Sequence, residues 1–280
     1  MTDLYKIIDE DKVLSLQPLG KTERMIESVL SDENSSVKDV ESALKKDPVI
    51  AARVLKLANS AFTGYSASVS SLDRAVVVLG RKKIHSVVVS LSIASRFTGN
   101  IDPFFSLKDF WRHSFFTASV SEAVARYMRK YEYIDESEVF SAGLLHDIGK
   151  LLLSLCCDEC LEEAHQRSRR EKVPFFRAEA EGASHAEAGA YLLRRWKLPE
   201  NLYKVVKDHH RVISQKEKYC KEIAVVHISD AMVHISGIDT YKNEIAPEIN
   251  NNVFDIIDMS PERLSEIAKC IMEKEAIDII

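Results

Sequence analysis

The chain has 280 residues, 46% of them apolar and 29% charged, with a formal net charge of −5. That is enough apolar material for a sizeable core in one large or two ordinary domains, and the acidic balance argues against a general nucleic-acid binder, which carries a basic face. The N-terminus Met1-Thr2-Asp3-Leu4-Tyr5-Lys6 lacks the basic-then-apolar layout of a secretory signal, and no apolar run approaches the roughly 20 residues of a membrane span. A cytoplasmic protein with neither nucleic-acid nor membrane partners is therefore expected.

Glycine (9) and proline (7) are scarce and no strict alternation extends far, so an all-α fold is expected. In chain order, helix starts are signalled at Ser36-x-x-Asp39, at Asp47-Pro48, and at Ser70-x-x-Asp73. The helix from Pro48 is apolar on much of its circumference, and Asn59 reads as its C-terminal cap. Val87–Val89 is β-branched, yet Ile84, Val87, Val88 and Leu91 follow helical spacing, so that segment is expected to be helix. Gly99-Asn100-Ile101-Asp102-Pro103 is a turn-rich break. It divides an N-terminal helical region (1–100) from a second region (101–238) that holds nearly every histidine, followed by a tail (239–280). In the tail, Asn250-Asn251-Asn252 reads as a loop and Ser260-Pro261-Glu262 as the start of a last helix.

The most informative stretch is Leu144-Leu145-His146-Asp147-Ile148-Gly149-Lys150. Read as one helix, it places Leu144, Leu145, Ile148, Leu151, Leu152 and Leu155 on a core stripe and leaves His146, Asp147 and Lys150 together behind it. A histidine, an aspartate and a lysine on so apolar a helix suggest a polar cavity with two metal ligands and a phosphate-reaching cation. Other segments carry residues able to join them: His113 after Phe110-Trp111-Arg112, His185 in the capping box Ser184-x-x-Glu187, His209-His210 at the end of a helix from about Pro199, and Asp230 within a helix. Imidazoles with carboxylates suit Mn, Fe or Zn rather than Ca. Five imidazoles and two carboxylates exceed the needs of one ion and leave room for a second, with Asp147 between the two. Asp109, Asp208, His85 and His165 read as ordinary residues. His227, Asp230 and His234 share a helix face at i, i+3, i+7, a spacing open to a local three-ligand stripe, but the two histidines read as polar rim or exposed surface. Cys156, Cys157, Cys160, Cys220 and Cys270 are odd in number, and the lone C-x-x-C reads as reduced thiols.

The ordered series His113, His146-Asp147, Asp230 resembles the HD superfamily of metal-dependent phosphohydrolases. Over roughly residues 15–235 the chain resembles the HDOD (HD-related output domain) branch. The resemblance is carried by Asp47-Pro48…Arg53-Val54-Leu55-Lys56-Leu57-Ala58-Asn59-Ser60, Ser71-Leu72-Asp73-Arg74, Trp111-Arg112-His113-Ser114, Gly143 through Lys150, His185-Ala186-Glu187-Ala188-Gly189, and Trp196-Lys197-Leu198-Pro199. It implies an N-terminal helical subdomain followed by an HD-type helical subdomain, with His113, His146, Asp147 and Asp230 on a first metal. His185, His209 and His210 match the second-metal ligands of the related HD-GYP phosphodiesterases, and Lys150 matches a lysine that faces the substrate phosphate there. The Gly-Tyr-Pro turn of those enzymes is missing after His210, where Arg211-Val212-Ile213 follows, so cyclic di-GMP is not implied as substrate.

The expected function is bacterial-type signal transduction with one or two divalent transition ions (Fe, Mn, Ni or Zn), a nucleotide or phosphate ligand and a signalling-protein partner; a homodimer is left open. The alternative is a metal-dependent phosphohydrolase acting through Asp147 and Lys150 on nucleotides or cyclic dinucleotides.

Overall fold

The structure is a computed structural model that describes residues 7–8, 21–59, 69–94, 105–129, 134–180, 183–211, 214–241 and 244–273. The expected break at 99–103 and residue Ser60 lie outside them. All regular elements among the described residues are helices, joined by one antiparallel bridge between Phe105 and Tyr241. Two compact units are formed mainly by residues 18–99 and 100–271.

The first unit holds α1 (Lys21–Ser31), α2 (Val37–Leu44), α3 (Pro48–Ala58), α4 (Leu72–Leu79) and α5 (Arg81–Ala94). The Ser36 hydroxyl and the Asp39 carboxylate cap α2 reciprocally, and Asp47 accepts the Val49 and Ile50 N–H groups ahead of Pro48. α4 is entered from Ser71, one residue later than its sequence signal. Asn59 does end α3, and it also reaches forward: its amide donates to the Leu55 and Val69 carbonyls and accepts the Val69 N–H. The core is Ile26, Val40, Leu44, Val54, Leu57, Ala75, Leu79, Ile84 and Val88, all nearly solvent-free. Burying each large aliphatic chain contributes about 1.5–3 kcal/mol. Arg81 collects the carbonyls of Val29, Leu30 and Ser35, satisfying acceptors at and beyond the end of α1.

The second unit holds α6 (Leu107–Met128), α7 (Glu136–Leu145), α8 (Ile148–Cys156), α9 (Asp158–Glu171), α10 (Phe175–Ala178), α11 (His185–Arg195), α12 (Glu200–Asp208), α13 (Cys220–Ile235), α14 (Asn252–Ile257) and α15 (Pro261–Met272). α6 packs on α7 and α13, and α8 packs on α11. Caps again follow the sequence: Ser106 accepts the Asp109 N–H, Asp135 those of Ser137 and Glu138, and Ser184 that of Glu187.

The single amphipathic helix expected over 144–155 is corrected. His146 keeps helical dihedrals as the C-cap of α7, and the chain leaves helical geometry at Asp147, the N-cap of α8, with φ −95° and ψ 4°. The residues expected on a polar back face are as buried as the leucines: His146 0%, Asp147 1% and Lys150 2% exposed. Two glycines permit this. A Cβ on Gly149 would stand 1.8 Å from the His185 carbonyl oxygen, and one on Gly143 would stand 2.8 Å from the Ala118 Cα. α8 therefore touches the start of α11 backbone to backbone, which no other residue allows.

The cysteine expectation is corrected as well. Cys157, at the N-cap of α9, is joined to Cys160 by a disulfide, while Cys220 and Cys270 are free thiols. The start of the helix brings the two Cα atoms to 5.3 Å, within the range a disulfide spans.

Candidate metal centre

All seven residues expected as ligands meet in the second unit, among α6, α7, α8, α11, α12 and α13, six of them buried and His210 partly exposed. Asp147, held at the break between α7 and α8, is the centre. Its Oδ2 lies 3.4 Å from His146 Nε2 and 3.9 Å from His113 Nε2. Its Oδ1 lies 3.2 Å from His185 Nε2 and 4.0 Å from His209 Nε2. Asp230 faces the first group, with Oδ1 3.1 Å from His113 Nε2 and 3.6 Å from His146 Nε2, while its Oδ2 stands 3.9 Å from His210 Nδ1. Ligand atoms of Asp147, His185, His209 and His210 lie within 4.8 Å of one another, as do those of His113, His146 and Asp147.

The imidazoles are oriented by their outer nitrogens. His113 Nδ1–H donates to the Ile238 carbonyl, His146 to Gly143 and His209 to Val206, at 2.8, 2.8 and 2.6 Å. His185 Nδ1 meets the Glu179 carboxylate at 2.8 Å, and the same carboxylate accepts the His185 backbone N–H. Because carbonyl and carboxylate oxygens only accept, each Nδ1 carries a proton, which directs Nε2 into the cluster. His113 and His146 then bring Nε2 atoms to 3.3 Å, and His185 and His209 to 3.4 Å. Lone pairs this close repel unless a cation lies between them. The buried carboxylate oxygens Asp147 Oδ1 and Asp230 Oδ1 and Oδ2, and His210 Nδ1, have no aligned hydrogen-bond partner among the described residues. The donor set therefore fits divalent transition ions.

Without an ion the cluster must share protons. Burial alone would lower His146 and His185, but Asp147 lifts His146 to about 10, and Glu179 with Asp147 lifts His185 to about 9. His209 and His210 are driven well below the ordinary histidine value by burial, helped by cationic neighbours. Burial would raise Asp147, yet His146 and Lys150 hold it well below the ordinary aspartate range.

Lys150 is placed differently from the expected phosphate-facing cation. Its ammonium lies 2.8 Å from Asp147 Oδ2 and 3.2 Å from Glu244 Oε1, over the rings of Phe175 and Tyr241. Burial disfavours its charge, but the Asp147 and Glu244 carboxylates raise its pKa above the ordinary lysine range.

Sequence reasoning missed Glu179, Thr240 and Glu244, and it misplaced His234. Thr240 donates its hydroxyl to Asp147 Oδ2 at 3.3 Å. The expectation of a rim or exposed position for His227 and His234 is corrected: both are buried, at 2% and 6%. His227 is structural, with Nδ1–H on the His209 carbonyl and Nε2 accepting the Asn250 N–H. The residues set aside do stay apart. Asp109 is exposed in the first turn of α6, Asp208 pairs with Lys204 and Arg211, His85 faces Glu27 in the first unit, and His165 stacks on Tyr241.

A model of the HDOD domain matches residues 16–212. The chain belongs to the HDOD family. Its fold is shared with solved structures: an HDOD domain protein of unknown function from Geobacter sulfurreducens (22% identity, TM-score 0.68, 98% of this chain and 88% of that one) and a candidate phosphohydrolase from Shewanella amazonensis SB2B (24% identity, TM-score 0.70, 96% and 95%). An uncharacterized protein of Treponema pallidum (strain Nichols) is 22% identical over 237 residues, which cover 84% of this chain and 45% of that protein. The HDOD chain thus spans about half the length of that relative.

Proposed function

We propose that this HDOD protein is a bacterial-type signal-transduction module that holds a dinuclear divalent metal centre and binds a phosphate-bearing ligand, such as a nucleotide, beside it. One observation carries the reading. The two oxygens of Asp147 face two separate imidazole groups, each ring turned inward by an anchored Nδ1–H. A carboxylate so placed serves two ions at once. Bound divalent ions supply Lewis-acid seats for a phosphate oxygen. The chain's own residues do the rest: Glu179 and the backbone carbonyls orient the rings, Lys150 compensates Asp147, and Tyr241 and Phe175 shield the ammonium from water.

A signalling role is favoured over turnover because the buried Lys150 ammonium is already held by two carboxylates. The phosphohydrolase reading remains the alternative. Elemental analysis of protein purified without chelator should find up to two transition ions per chain; metal-free protein whose melting temperature ignores added Mn²⁺ or Fe²⁺ defeats the proposal. Loaded protein should bind nucleotides or inorganic phosphate without hydrolysing a nucleotide and phosphodiester panel. Turnover lost in Asp147→Ala would instead establish the enzyme.

A further inference from the structure

We propose that His234 is itself a metal ligand, a third imidazole on the Asp230 side of the centre, and that Asp239 is its positioning residue. The inference rests on the metal reading above and extends it to a histidine that its sequence context leaves at the rim.

His234 lies one helical turn after Asp230 on α13, where side chains at i and i+4 share a face. Its Nε2 is 3.3 Å from Asp230 Oδ1, and its ring lies 4.4 Å from that of His113, centroid to centroid. Its Nδ1 lies 3.1 Å from Asp239 Oδ1. This repeats the arrangement of His185 and Glu179: an outer nitrogen on a carboxylate, an inner nitrogen on the cluster. Ligand atoms of His113, Asp230 and His234 lie within 4.8 Å of one another. In a six-coordinate site with bonds of about 2.1 Å, neighbouring ligand atoms stand about 3 Å apart. The contacts of Asp230 Oδ1 with His113 Nε2 at 3.1 Å and with His234 Nε2 at 3.3 Å are of that length. Asp230 Oδ1 has no aligned hydrogen-bond partner among the described residues, so the His234 contact is not already accounted for by a hydrogen bond.

The competing role is that of a protonated counter-ion between Asp230 and Asp239. The two roles predict opposite signs. Removing a ligand weakens metal binding, whereas removing a neighbouring cation leaves it unchanged or tightens it, because a positive charge beside a divalent ion is lost.

The test titrates chelator-stripped full-length protein with Mn²⁺ and compares wild type with His234→Gln and Asp239→Asn. Binding at the tighter step should weaken at least about tenfold in His234→Gln and several-fold in Asp239→Asn, the direction expected when a ligand and its orienting carboxylate are lost. Proton NMR of Co²⁺-loaded protein should show one fewer hyperfine-shifted imidazole N–H resonance in His234→Gln. Equal or tighter Mn²⁺ binding with every resonance retained overturns the assignment. Should His234→Gln not fold, Asp239→Asn carries the same test, and unchanged affinity and spectrum there overturn it. Wild-type protein that binds no Mn²⁺ or Co²⁺ defeats the metal reading as a whole, and so is distinguishable from failure of this assignment alone.

Discussion

The two sides of Asp147 are built differently. On the Oδ2 side, His113 and His234 stand within the long helices α6 and α13, Asp230 lies one turn before His234, and His146 alone of this group caps a helix end, that of α7; His113 is 0% and Asp230 1% exposed. On the Oδ1 side the ligands sit at helix ends: His185 is the first residue of α11, His209 the C-cap of α12, and His210 follows it. The His210 side chain is 12% exposed and stacks on Phe176 from a four-residue helix. Helix interiors hold side chains more rigidly than termini do. The first side is therefore the more firmly held of the two, and under the proposed metal reading an ion on the second side would exchange more readily.

The change that erases this difference has the largest expected effect. Asp147→Ala removes the carboxylate whose two oxygens face the two sides, so it should abolish both ions in elemental analysis and eliminate the melting-temperature gain on adding Mn²⁺. His185→Ala should cost only the ion on the exposed side and leave the other at wild-type occupancy. Equal metal content in wild type and His185→Ala would contradict the two-ion arrangement. Loss of metal should also loosen the fold, since binding energy at a buried site is folding energy.

Proton competition sharpens the same contrast. In the metal-free protein His185 titrates near 9, above its unfolded value near 6.5, so its imidazolium contributes stability that is complete below pH 6.5 and lost as pH rises through 9. Metal binding runs the other way, because the ion displaces that proton. The melting-temperature gain from a fixed concentration of Mn²⁺ should therefore grow from pH 6.5 to 9, and level off only above about 10, where His146 has also lost its proton. A gain that is flat across this range would mean that His185 keeps its proton and is no ligand. Glu179→Gln should act on the same side more gently, since the amide orients the ring less well than the carboxylate. Metal affinity there should fall about 10–100-fold while the Asp230 side is unchanged, as a two-step Mn²⁺ titration would show.

How much of this was legible in the sequence follows from where each residue sits. The helical fold was readable because its starts are local: Ser36, Asp47 and Ser184 cap as their spacing says. The seven clustered side chains were readable because histidine and aspartate in apolar helical runs are unusual. The break at Asp147 was not, because the leucines on either side keep helical spacing, and the close approach of Gly149 to the His185 carbonyl just after it is a tertiary contact. Glu179, Thr240 and Glu244 were invisible for another reason. They come from connecting segments, where a glutamate or threonine is ordinary, and only tertiary structure brings them to His185, Asp147 and Lys150.

Glu244 offers the smallest and most pointed test. Its side chain is 4% exposed and occupies Lys150 with a carboxylate, the same chemistry that a phosphate oxygen offers. Tyr241 donates its backbone N–H to the other oxygen of Glu244, which fixes the carboxylate in place. Glu244→Gln keeps the shape and removes the charge, leaving the ammonium paired with Asp147 alone. Inorganic phosphate should then bind metal-loaded protein a few-fold more tightly, and Lys150→Gln should bind it more weakly than wild type; calorimetry reads both. Phosphate affinity unchanged in both variants would place the anion on the His210 side, away from Lys150, and would leave Lys150 as the internal counter-charge of Asp147.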